Sequence, residues 1–93
     1  MLMRLDELDN VAVILEDGKK GQKVPCGNDV IELLSNIPFG HKCALTDIDC
    51  GEIIYKYGYP IGYATEDIKR GQLVNENNMS GFRGRGDLES RRN

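Results

Sequence analysis

The apolar positions of this chain fall in short runs divided by polar, glycine-bearing stretches. Residues 10–15 are β-branched and aliphatic and predict a strand. Residues 22–25 predict a short strand that Pro25 confines to a sheet edge or a strand end. Residues 26–29 carry turn chemistry. In residues 30–35, Val30, Ile31, Leu33 and Leu34 suit one helical turn, yet the segment is too short for a stable helix, and strand is the better reading beside its strand and turn neighbours. Residues 42–45 and 53–57 predict two more strands, the second rich in aromatic β-formers. Residues 58–64 follow with Gly58 and Gly62, where backbone can approach closely, and Leu73-Val74 ends the series. No long helix fits this pattern. Strands at a spacing of about ten residues, joined by glycine turns, predict a mostly β, small and strongly folded domain.

The polar divisions repeat one phrase. Asp17, Asp47 and Asp67 are each followed by glycine at the fourth position (Gly21, Gly51, Gly71) and by an aliphatic residue three later (Val24, Ile54, Val74). Ile37-Pro38-Phe39-Gly40-His41-Lys42 reads as a degenerate fourth copy. Each copy is a corner between strands. An aspartate at the head of a turn accepts backbone N–H groups close by, and glycine lets the chain leave with positive φ. The three aspartates are therefore expected to hold turns, each serving its own corner, and not to form a metal triad. Lys19, Lys20, Lys69 and Arg70 sit on these turns as solvated charge.

Ninety-three residues make one small domain. A chain of this size buries only about 60–65% of its unfolded surface, so contacts with a partner weigh heavily in its stability. The organisation expected is an arm over 1–9, a β domain over 10–79 and a flexible Arg/Gly-rich tail over 80–93. The formal charge of -3 and pI ≈ 5.1 argue against nucleic acid as the main partner, although Arg83, Arg85, Arg91 and Arg92 cluster in the tail. No apolar run approaches the roughly 20 residues of a membrane span. Residues 1–8 lack the apolar centre of a secretory signal. Cys26, Cys43 and Cys50 have no metal-type spacing and are expected to pack as small apolar side chains. Together these features suggest a cytoplasmic protein with reduced thiols.

Two stretches carry a resemblance. Residues 37–48, from Ile37-Pro38 through Gly40-His41-Lys42 to Asp47-Ile48, are similar to the pattern Ile-Pro-x-Gly-His-Lys-x-Ala-Leu-x-Asp-Ile. Residues 54–68 resemble Ile-x-Lys-Tyr-Gly-x-x-Ile-Gly-x-Ala-x-x-Asp-Ile. With the repeated corner, the chain resembles a SAF domain, a β-clip module, from about residue 10 to residue 78. It is similar to the N-terminal domain, or separate small subunit, of the altronate/galactarate dehydratase family, which also includes sulfolactate sulfo-lyase. That resemblance implies an enzyme family that removes water, or sulfite in the lyase, from sugar acids or hydroxy acids. It implies a divalent metal, typically iron, held mainly by a large partner subunit. It also implies that a chain of this length is a small subunit, inactive alone. A homo-oligomer is a further possibility. The tail over 83–88 resembles the end of such a small subunit.

One departure bears on the chemistry. Where the resembled pattern reads Val-His-x-His-Asn, this chain has Val74-Asn75-Glu76-Asn77-Asn78. Asparagine neither shuttles protons near neutral pH nor matches imidazole as a transition-metal ligand, so those two roles are not carried over. His41, the only histidine, becomes the candidate acid/base or ligand. Its plain structural reading is a ring that orients a turn. Lys42 and Lys56 are candidates for binding a substrate carboxylate. The competing readings are exposed charge for Lys42 and cross-strand packing for Lys56. Asn75, Asn77 and Asn78 are candidates for substrate contact, and no metal ligand is assigned. The competing function is a non-catalytic SAF-type module that binds a sugar acid or a protein.

Overall fold

In β2 (Val11–Ile14), Val11, Ala12 and Ile14 are all buried, because this strand is covered on both faces. The computed structural model describes residues 1–82, and the expected tail from Arg83 onward lies outside the described residues. β2 pairs antiparallel with β1 (Leu2–Met3) and with β5 (Lys42–Ala44), and β5 pairs with β8 (Leu73–Val74), giving the sheet order β1-β2-β5-β8. Successive side chains of a strand point to opposite faces. Ala12 lies opposite Cys43 and Val11 opposite Ala44, so the two faces feed two cores.

The first core joins Ala12, Ile14 and Cys43 to Val24, Ile31, Leu33 and Ile37. Its cover is the hairpin of β3 (Lys23–Cys26) and β4 (Asp29–Glu32). The second core joins Val11, Ala44 and Val74 to Ile48, Ile54, Ala64 and Ile68. It lies against the sheet of β6 (Ile53–Lys56), β7 (Tyr59–Ala64) and β9 (Met79–Gly81). Each fully buried isoleucine adds roughly 1.5–3 kcal/mol relative to exposure. The architecture is mostly β, in antiparallel sheets, as the short apolar runs predict. The ambiguous 30–35 segment is a strand in its first half, and Pro25 sits in a two-stranded hairpin opposite Val30, where a missing donor costs little.

Two strands lie where the sequence suggested none. β1 falls within the expected arm, held by Leu2, which is 1% exposed and lies opposite Ile14. β9 crosses the expected boundary at residue 80: Ser80 and Gly81 lie opposite Tyr63 and Gly62. Gly62 makes that approach possible, since a Cβ there would collide with the Ser80 carbonyl. The β6–β7 hairpin turns at Tyr57-Gly58 with φ of 56 and 81, the left-handed pair of a type I′ turn. Buried Asp9 braces it by accepting the Gly58 N–H at 2.8 Å.

The corners pair with one another, which corrects the expectation that each aspartate serves its own. Ile48 and Ile68 exchange backbone hydrogen bonds at 2.8 Å, joining the second and third corners. Asp47 accepts the Arg70 N–H and Asp67 accepts the Cys50 N–H, both at 2.9 Å. The first corner pairs with the degenerate fourth in the same way. Gly18 and Ile37 exchange backbone bonds, Asp17 accepts the Phe39 N–H at 2.9 Å, and Asn36 accepts the Lys20 N–H at 2.8 Å. Asn36 thus occupies the head position of the fourth corner. Gly18 stands where the other corners carry isoleucine, and Leu33 and Ile14 fill the space its missing side chain leaves.

Candidate functional site

The fourth corner delivers His41 and Lys42 to one end of the central sheet. Gly40 leaves the turn with φ of 86, and β5 begins at Lys42, between Val13 of β2 and Val74 of β8. The polar turn after β8 arrives at the same place. Gly40, His41, Lys42, Asn75, Glu76, Met79 and Gly81 line one open cleft of ≈ 440 Å³.

Within it, His41 is exposed, and its ring makes no hydrogen bond among the described residues. Lys42 is half-buried. Burial pushes its ammonium below the ordinary lysine range, the nearby Lys56 cation pushes the same way, and Glu76 opposes both. The cleft therefore sets a partly desolvated cation beside an exposed imidazole and one carboxylate. Lys56 lies close enough to act on Lys42, but its Nζ rests over the Tyr57 ring, 5.1 Å from the centroid.

The family-model comparison matches the altronate/galactarate dehydratase SAF domain over residues 1–81. The chain belongs to this family. It is 45% identical over 76 residues to an altronate dehydratase of Escherichia coli strain K12, covering 82% of this chain and 15% of that protein. It is 42% identical over 76 residues to the galactarate dehydratase (L-threo-forming) of the same strain, covering 80% of this chain and 14% of that protein. An altronate dehydratase of Bacillus subtilis strain 168 is 37% identical over 76 residues, covering 82% of this chain and 15% of that protein. The chain thus spans about 15% of the length of the altronate dehydratases it matches.

The SAF domain gathers some of the residues singled out from its sequence and separates others. His41, Lys42 and Asn75 share the cleft; Lys56, Asn77 and Asn78 do not line it. Asn78 is buried, and both ends of its amide are taken up by the backbone. Its Oδ1 accepts the Asn75 N–H at 2.9 Å and its Nδ2 donates to the Leu73 carbonyl at 2.8 Å. The structure gives Asn78 a turn-holding role. Asn75 contributes to the same turn, its Oδ1 accepting the Asn77 N–H at 2.9 Å. Glu76 and Met79 are cleft residues that sequence reasoning missed. The only signal was their position in and just after the polar turn, since neither type announces a site.

A resident divalent metal, implied by the resemblance, finds few ligands in this cleft. His41 and Glu76 are the ordinary donors there, beside the Lys42 ammonium, which repels a cation. Among the described residues no group of three or more His, Cys, Asp or Glu could hold a metal ion. The cleft side chains of this chain alone do not fit such a metal. Cys26 and Cys43 pack in the first core as expected, and burial pushes both thiols up, Cys43 to about 12. Cys50 departs from the expected packing: it is exposed at the tip of the second corner, where its backbone N–H is held by Asp67. No helix among the described residues is long and apolar enough to cross a membrane.

Proposed function

We propose that this SAF domain is a small subunit of a sugar-acid dehydratase of the altronate/galactarate kind, or of a related hydroxy-acid lyase. It completes an active site on a large catalytic subunit in the cytoplasm and turns over nothing alone. The observation that carries this reading is the convergence of His41, Lys42, Asn75 and Glu76 on one open cleft in a chain related to dehydratases.

In such a reaction a C–H proton is removed and a hydroxyl on the neighbouring carbon leaves with a proton as water. Lys42 holds the substrate carboxylate as a desolvated point charge, with Lys56 adding positive potential behind it. His41 is the side chain placed at the cleft to accept or return that proton. The Asn75 side-chain N–H₂ donates to a substrate hydroxyl. The divalent metal that the resemblance implies is held by side chains of the large subunit, since the cleft of this chain offers too few ligands.

Co-expression with a dehydratase large chain that lacks its own SAF domain tests the reading. Co-purification and conversion of altronate, galactarate or sulfolactate by the mixture, with none by either chain alone, is the expected result. Absence of both association and turnover in every mixture rejects it. A second reading, a binding module without chemistry, is favoured by Asn75 and Asn77 standing where the resembled pattern has histidines. Under that reading His41→Ala leaves both association and turnover of the complex unchanged.

A further inference from the structure

The four corners share one backbone hydrogen bond, and the fourth lacks a side-chain cap that the other three make. The residue after each corner glycine donates its N–H to the carbonyl of the residue two after the corner head. The pairs are Gln22 to Lys19 at 2.9 Å, Glu52 to Asp49 at 2.9 Å, Gln72 to Lys69 at 3.0 Å and His41 to Pro38 at 3.0 Å. In three corners the side chain of that residue then folds back and accepts the N–H of the same partner. Gln22 caps Lys19 at 3.0 Å, Glu52 caps Asp49 at 2.6 Å, and Gln72 caps Lys69 at 2.9 Å. In the fourth corner the partner is Pro38, which has no N–H to cap.

We propose that Pro38 is a positioning residue for His41. Nε2 of an imidazole lies the same number of bonds from Cα as Oε1 of glutamine, so a histidine here has the reach to cap a backbone N–H. A neutral imidazole carries a single ring lone pair, and a cap would consume it. Proline removes the donor, leaves the corner backbone intact and keeps the lone pair of His41 for the cleft it shares with Lys42 and Glu76. The catalytic consequence rests on the function proposed above, whereas the positioning itself does not.

His41 is the only histidine, so carbethoxylation by diethyl pyrocarbonate, followed by ultraviolet absorbance, reports this ring alone. The reagent attacks the ring lone pair. Pro38→Ala restores the N–H and is expected to react several-fold more slowly than the parent chain, with a scalar coupling across the new amide–imidazole hydrogen bond visible by NMR. Equal rates and no coupling overturn the proposal. The double variant His41→Gln/Gln22→His moves the sole imidazole to an equally exposed corner that has its N–H, at Lys19, and serves if Pro38→Ala folds poorly. It too is expected to react several-fold more slowly than the parent, and a parent-like rate overturns the proposal. Turnover of the reconstituted complex separates the two ideas: slowed carbethoxylation in Pro38→Ala with unchanged kcat supports the positioning and rejects a catalytic His41.

Discussion

The carboxylate of Asp47 accepts the backbone N–H of Arg70 at 2.9 Å, across 23 residues of chain. Asp67 returns the same bond to Cys50, so two corners of one phrase lock each other around the Ile48–Ile68 bridge. Asp47→Ala and Asp67→Ala should each cost about 1 kcal/mol, since each removes a charged acceptor from a backbone donor near the surface. The double variant should cost less than the sum, because the two bonds share one structure. Equilibrium urea unfolding measures all three.

Asn78→Ala should cost about 2 kcal/mol or more, because it strands the Leu73 carbonyl and the Asn75 N–H at a buried site. Asn78→Asp should be nearly as costly, since it sets a carboxylate oxygen against the Leu73 carbonyl. Because the turn forms one wall of the cleft, both variants should also weaken binding of a sugar acid, read by calorimetry on the complex.

Much of this fold was legible because the corner phrase is a chemical necessity: an acceptor at the head and a glycine at positive φ, as at Gly40, Gly51 and Gly71. Which corner each aspartate would serve was not legible, since the partner lies about twenty residues away and only the folded sheets bring it near. β9 was hidden for a related reason: Met79-Ser80-Gly81 has little strand character by itself and pairs because Gly62 leaves room. His41 and Lys42 could be found from their motif. Glu76 and Met79 could not, because their place in the cleft depends on how the turn held by Asn78 folds back.

Asp9 makes stability depend on acid. Burial raises its carboxyl pKa, but N–H groups of Gly58, Tyr57, Leu5 and Asp6 stabilise the anion and prevail, holding it below the ordinary 3.8. A depressed folded-state value means the stabilisation is fully present above the unfolded value and is lost as pH falls through the folded one. Unfolding free energy should therefore drop as pH falls from about 5 toward 2, near and below the unfolded aspartate value. Asp9→Asn should flatten that part of the profile while lowering stability at neutral pH.

The thiols should separate by exposure. Cys50 is exposed, whereas Cys26 and Cys43 are buried with their thiols pushed up. A disulfide reagent at mildly alkaline pH should modify Cys50 quickly and the other two only after denaturation. In Cys50→Ser the fast phase should vanish.

Under the proposed function, the cleft of this SAF domain forms part of a dehydratase active site. The most direct test is the steady-state kcat of the complex reconstituted with a large dehydratase chain, measured with parent and His41→Ala domains at matched occupancy. His41→Ala is expected to lower kcat by about 10²-fold or more, the scale of a lost general acid or base, with association unchanged. An unchanged kcat in a fully assembled complex would contradict it.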